Sequence, residues 1–153
     1  MKNLLLVWNA LCFSGFISVA SAVEEGFNPG EITYVVTMGV NDKSVAEIDT
    51  FSSFYQALVE GNEPSTLAWQ FYRGSDGKIY LIERYKNSAA ALQHVTNISP
   101  GGIQEKEFVD FTNHFVIENI VIHGTPSEKL VSSLQAVGLP LEFRTSISGY
   151  SRN

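Results

Sequence analysis

The stretch Glu63–His94, EPSTLAWQFYRGSDGKIYLIERYKNSAAALQH, decides the fold of this chain. It reads as strand, tight turn, strand and helix start. Gly74-Ser75-Asp76-Gly77 supplies the turn, Asp-Gly being among the strongest hairpin dipeptides. Successive side chains leave a strand on opposite faces, so Thr66–Tyr72 sets Leu67, Trp69 and Phe71 against Ala68 and Tyr72. Ile79–Tyr85 likewise sets Ile79, Leu81 and Tyr85 against Tyr80 and Ile82. A strand with one wet face alternates apolar with polar, and these two are apolar on both faces. The sheet therefore needs cover twice. Helices of the same chain cover one face, and in so short a chain a second copy is expected to cover the other.

Upstream, Ile32–Val40 is a β-rich run, ITYVVTMGV, followed by the turn Asn41-Asp42-Lys43-Ser44. Ser44 with Glu47 fits a capping box. A helix is expected over Val45–Val59, with Ile48, Phe51, Tyr55 and Leu58 as its apolar stripe and Gly61 as its left-handed stop. Downstream, Ser88 is expected to cap a helix, SAAALQHV, which Ser99-Pro100-Gly101-Gly102 interrupts. Gln104–Phe115 resumes as a helix with Phe108, Phe111 and Phe115 spaced for burial, and Val116–His123 is a further β run. After Gly124-Thr125-Pro126 a last helix begins near Ser127, carries Leu130, Leu134 and Val137, and stops at Gly138 and Pro140. Ser146–Arg152 is expected to form a short tail strand. The order β-α-β-β-α-β is the split βαβ of an α+β, ferredoxin-like sandwich, here with an added C-terminal helix and tail strand.

At 153 residues and 44% hydrophobic content the chain has one domain with a real core. Its net charge of −6, with no run of Lys or Arg, argues against nucleic acid and offers anionic membranes no basic patch. The first 22 residues stand apart. Lys2, the apolar run Leu4–Val19 and then Ala20-Ser21-Ala22 form a secretory signal pattern. The run is short for a ~20-residue membrane span and contains Asn9. Cleavage after Ala22 would leave a secreted or periplasmic protein without its single cysteine, Cys12, and hence without disulfides. Residues 23–31 read as a flexible leader, punctuated by Gly26, Pro29 and Gly30, and 32–153 as the folded domain.

Glu63-Pro64-Ser65-Thr66-Leu67 leading into Trp69, Asp76-Gly77, and Glu83-Arg84-Tyr85-Lys86-Asn87-Ser88 with Ala89–Ala91 and His94 resemble the antibiotic biosynthesis monooxygenase family. The Phe108-Val109-Asp110-Phe111 helix, Ile120–Gly124 and Gly149-Tyr150-Ser151-Arg152 fit it too, so the resemblance runs from Ile32 to Arg152. It implies a homodimeric α/β barrel in which two sheets face each other, with a pocket in each subunit between sheet and helices. The family includes cofactor-free oxygenases of quinols and polycyclic phenols, haem-degrading relatives and members without known activity. For this chain the resemblance implies a small aromatic or phenolic substrate, a homodimeric partner and no cofactor.

Oxygenation without metal or flavin needs a substrate that itself gives an electron to dioxygen, as a phenolate or hydroquinone does. The protein must deprotonate it, hold it in a dry slot and stabilise the anion. On this reading Trp69, Phe71, Tyr72, Tyr85, Phe108 and Phe111 supply the slot, and His94 accepts the phenolic proton. Glu83 orients His94, and Asn62 resembles an amide that some relatives use to hold substrate. The plainer readings are a buried structural histidine, a packing tryptophan, a Glu83 paired with Arg84 or Lys86, and a loop asparagine. No metal site is expected, because His94, His114 and His123 lie on different elements without HxxxH or HExxH spacing. Two other functions stay open: a non-catalytic small-molecule-binding dimer, and a haem-binding or haem-degrading protein.

Overall fold

Strict alternation along Ile32–Val40 builds the centre of the molecule. Ile32, Tyr34, Val36 and Met38 are buried, while Thr33, Val35 and Thr37 between them are half-covered. The computed structural model describes residues 28–149. The expected signal segment 1–22 and the Tyr150-Ser151-Arg152 ending lie outside the described residues. Nine elements follow one another: β1 (Ile32–Val40), α1 (Val45–Asn62), β2 (Thr66–Arg73), β3 (Ile79–Tyr85), α2 (Ser88–Ile98), α3 (Glu105–His114), β4 (Phe115–His123), α4 (Glu128–Val137) and β5 (Leu141–Arg144).

The strands form one sheet in the order β2-β3-β1-β4-β5. The first four are antiparallel, in the ferredoxin-like arrangement, and β5 lies parallel to β4. The fifth strand is thus Leu141–Arg144 and not the expected Ser146–Arg152. Gly138 takes the left-handed conformation after α4, and the Pro140 carbonyl at once accepts the Ile120 N–H. The chain is laid along β4 before it reaches Ser146. Among the described residues, 146–149 form no strand.

Local chemistry sets the ends of the helices. The capping box at α1 is complete: the Glu47 N–H donates to Ser44 Oγ, and the Ser44 N–H donates to the Glu47 carboxylate. Gly61 does not stop α1, which runs on to Asn62; Gly61 is not among the left-handed glycines. The stop comes at Glu63, whose N–H reaches the Val59 carbonyl while its side chain turns into the protein. Pro64 then prevents a further turn. Asn87, and not Ser88, caps α2 by accepting the Ala90 N–H. The Ser88 hydroxyl instead accepts the Ser127 N–H and ties the start of α4 to the start of α2.

Ile48, Phe51, Tyr55 and Val59 of α1 pack with Phe111, Phe115, Leu81 and Ile122 in one core. Full burial of each such side chain contributes about 1.5–3 kcal/mol. Phe51 stacks on His114 at 3.9 Å, and Phe111 packs on Phe115 at 4.9 Å. The opposite sheet face carries Val35, Tyr80 and Ile82, half-buried, beside buried Val121 and exposed Tyr72. Ion pairs join Arg84 of β3 to Glu31 just before β1, and Lys78 just before β3 to Glu118 of β4. Leu67 is 48% exposed, because a bulge between Thr66 and Ala68 displaces it from the face expected by alternation. The end of the expected leader is tied down. Asn28 donates to the Lys86 carbonyl, and Glu31 grips Arg84 through both carboxylate oxygens at 2.7 and 3.1 Å.

Candidate active site

Strand register brings three polar side chains into a row on the helix-covered face. Trp69 of β2 lies directly opposite Glu83 of β3, and Glu83 lies directly opposite Tyr34 of β1. Above this row a mainly apolar cavity of about 50 Å³ lies between the sheet and the helices. Tyr34, Trp69 and Glu83 line it from the sheet, Tyr55 from α1, His94 from α2, and Phe108 and Phe111 from α3. Leu134 and Val137 of α4, then Leu139 and Leu141, complete the wall.

Two buried donors facing this space have no protein partner: the Tyr34 hydroxyl and the Trp69 indole N–H. A buried polar group without a partner costs about 1–3 kcal/mol. A native fold rarely leaves two such donors on one cavity without reason.

His94 is fixed by Glu63, which sits 31 residues earlier in the turn after α1. Nδ1 lies 3.0 and 3.2 Å from the two carboxylate oxygens. Asn97 Nδ2 donates to Glu63 Oε1 at 3.1 Å, and the Thr66 hydroxyl donates to Oε2 at 3.0 Å. Burial alone would raise the Glu63 pKa, but hydrogen bonding with His94, its charge, and the Asn97 and Thr66 bonds together hold it below the ordinary carboxylate value. Burial likewise opposes the imidazolium, yet the Glu63 hydrogen bond and the charges on Glu83 and Glu63 raise His94 above its ordinary value. Both shifts favour the imidazolium–carboxylate form of the pair, in which Nδ1–H donates to Glu63. Nε2 is the ring nitrogen left for a ligand.

Glu83 is different. It is 5% exposed, and among the described residues its hydrogen bond is the one from the Tyr85 hydroxyl at 2.5 Å. Burial dominates, and the carboxyl titrates above its ordinary range despite the nearby His94 charge and the Tyr85 bond.

These distances redistribute the expected roles. Glu63, not Glu83, orients His94: Glu83 points its bonded oxygen at Tyr85, whereas Glu63 reaches across from the end of α1. Trp69, His94, Glu83, Phe108 and Phe111 do come together at the cavity. Tyr85 is buried behind Glu83, edge-on to Tyr34 at 5.1 Å, and does not line the space. Phe71 packs one residue pair further along, on Phe115, and lines an outer groove instead. Tyr72 is 47% exposed on the opposite sheet face and donates to Gln70 Oε1. Asn62 remains in the last turn of α1, where its amide donates to the Leu58 carbonyl, outside the cavity. Tyr34, Tyr55 and Glu63 were not singled out from the sequence. Tyr34 had a usable signal, a lone phenol on the aliphatic face of β1. Glu63 had none. Among the described residues no group of three or more His, Cys, Asp and Glu side chains is placed to hold a metal.

No family model matches the sequence, and no curated protein does. Solved structures do match. MupZ from Pseudomonas fluorescens superposes with a TM-score of 0.63 at 17% identity, over 80% of this chain and 95% of that one. SnoaB, a cofactor-independent oxygenase from Streptomyces nogalater, superposes with a TM-score of 0.50 at 15% identity, over 64% of this chain and 95% of that one. By fold the chain groups with MupZ and SnoaB, in the ferredoxin-like architecture that its resemblance to the antibiotic biosynthesis monooxygenase family implies.

Proposed function

We propose that this protein is an exported, homodimeric, cofactor-independent monooxygenase of a quinol or similarly electron-rich phenol. The observation that carries this reading is the pair of unpartnered donors, Tyr34 Oη–H and Trp69 Nε1–H, which line with His94 one mainly apolar cavity. Such donors are idle in the empty protein. They become hydrogen bonds when an oxyanion or a reduced oxygen species forms between them, and in a dry site such bonds are strong.

The stoichiometry needs only substrate and dioxygen. A quinol plus O2 gives a hydroxyquinone plus water, with one oxygen atom entering the ring and all electrons coming from the quinol. The bound phenolate passes one electron to O2, and the radical and superoxide combine at ring carbon. Loss of water from the resulting hydroperoxide leaves the new carbonyl. His94, Trp69 and Tyr34 stabilise the negative charge as it moves from phenolate to peroxide, and the aromatic walls exclude water. His94, whose pairing with Glu63 favours the protonated ring, serves here as a donor and not as the base.

A cavity of about 50 Å³ holds no more than a water or two, so a ring displaces side chains to enter. Val95, Ile98, Phe108 and Val137 line both the cavity and an open groove between α2, α3 and α4. They are the natural door. Homodimerisation is proposed through the sheet face bearing Val35, Tyr80 and Ile82, and export through the segment 1–22.

Oxygen consumption by the purified protein against a panel of hydroquinones tests the activity, with Trp69→Phe as control. Turnover with substoichiometric uptake by the control supports the reading. Quenching of tryptophan fluorescence by aromatic ligands without oxygen consumption would leave only a binding protein.

A further inference from the structure

We infer that Glu83 is the proton acceptor of this site, taking the phenolic proton of the bound ring and returning it to the hydroxide that leaves as water. The inference rests on the oxygenase reading and deepens it. The geometry is that of the three-strand row: Glu83 stands on β3 with a donor on each side, Trp69 on β2 and Tyr34 on β1, each directly opposite it in register. A phenol whose oxygen sits between those donors has its own hydrogen beside the Glu83 carboxylate.

The carboxyl has been left free for this. No Lys or Arg pairs with it among the described residues, although five other ion pairs are formed there. One hydrogen bond, from Tyr85, fixes Oε2 and leaves Oε1 for the cavity. The carboxylates that a fold uses structurally look otherwise, as Glu63 does with His94, Asn97 and Thr66 around it.

The titratable groups around Glu83 come from α1, α2, β1, β3 and the turn after α1, while β2 faces it with Trp69, which does not titrate. His94 of α2 favours the ionised carboxylate, as does the Tyr85 bond from β3; Glu63 opposes it, and burial opposes it most. Tyr34 of β1 and Tyr55 of α1 titrate far above their ordinary value, because burial and the Glu83 charge both resist a phenolate there. Neither tyrosine can serve as the base. His94 Nδ1 is engaged by Glu63, and that pairing favours its protonated form. By placement the acceptor is Glu83, which lines the cavity between the two donors and carries no cationic partner among the described residues.

The proton step separates from oxygen chemistry if a phenol that cannot be oxygenated is used. 4-Nitrophenol turns yellow on ionisation, so titrating the purified protein with it, under nitrogen and at a pH where the free phenol is mostly neutral, reads the transfer directly. The wild type is expected to bind it as the yellow phenolate, and Glu83→Gln as the colourless phenol with affinity within about tenfold. Tyr85→Phe, which removes the bond favouring ionised Glu83, is expected to move the acid limb of the ionisation curve to higher pH. Ionisation in Glu83→Gln equal to wild type overturns the inference, as does binding of only neutral phenol by the wild type, or no binding at all. Quinol-dependent oxygen uptake surviving in Glu83→Gln would overturn Glu83 and keep the oxygenase. Yellow bound phenolate without any quinol turnover would keep Glu83 and remove the oxygenase.

Discussion

Glu63 and His94 form a buried ion pair that crosses from the end of α1 to the inner face of α2, with Nδ1 3.0 Å from the carboxylate. Both side chains are nearly unexposed, at 3% and 7%. Removing one partner strands the other's charge in the core. Glu63→Gln and His94→Gln are each expected to lower unfolding stability by about 3 kcal/mol. The double variant should lose clearly less than the sum, and urea unfolding of the four proteins measures the coupling.

The same groups set a pH window for stability. Glu63 has a lowered folded pKa, so its contribution is present above its ordinary value of 4.5 and is lost as pH falls through the folded value. His94 has a raised folded pKa, so its contribution is complete below its ordinary value of 6.5 and is lost as pH rises through the folded value. Glu83, raised by burial, binds its proton more tightly when folded and so costs stability as pH rises above 4.5. The melting temperature should peak in mildly acidic buffer and decline toward alkaline pH. Glu83→Gln should flatten the decline that begins above pH 4.5, as a melting series across pH would record.

Tyr34→Phe removes a buried hydroxyl that has no partner. It should raise stability by about 1 kcal/mol while lowering the rate of quinol oxygenation. Calorimetry and oxygen uptake on the same preparation decide this. A variant both less stable and equally active would mean that the hydroxyl is satisfied and unused.

The uncovered sheet face makes its own forecast. Ile82→Asp places a charge among Val35, Tyr80 and Ile82, the half-buried apolar chains of that face. Light scattering should give twice the chain mass for the wild type and the single-chain mass for the variant. A monomeric wild type would leave the face without a second copy.

Two glycines should respond in opposite directions. A Cβ on Gly102 would lie 2.2 Å from the Asn97 carbonyl oxygen and 2.4 Å from that of Thr96, both backbone atoms at the end of α2. Gly102→Ala is expected to cost about 1–3 kcal/mol. Gly61 lies within α1 with nothing near its Cβ position, so Gly61→Ala should gain about 0.5–1 kcal/mol. Thermal melts of both variants are sufficient.

What could be read in advance follows the range of the interaction. The hairpin turn, the capping box at Ser44 and the α1 positions Ile48, Phe51 and Tyr55 depend on neighbours a few residues apart and appear as expected, while Val59 is buried where Leu58 was expected and Leu58 is half-buried. Trp69, Glu83 and His94 do meet at one cavity, because strand parity and helix phase fixed the faces they occupy. Parity also argued against Tyr72, which it had already placed on the face opposite Trp69. Glu63 escaped notice because no periodicity links it to a histidine in a different element. Leu67 was misplaced by a bulge, and the tail strand by a turn at Gly138 that brings the chain back early.

The wall that α4 and β5 give the cavity has a consequence for biosynthesis. Leu134, Val137, Leu139 and Leu141 close one side of it, yet they are made after every strand of the antiparallel sheet. A nascent chain that has released β4 from the ribosome already possesses Trp69, Glu83 and His94, but holds them in an unroofed bowl open to bulk solvent. Only when residues 128–144 dock does that bowl gain its last wall, so the lined space is completed after the sheet that floors it.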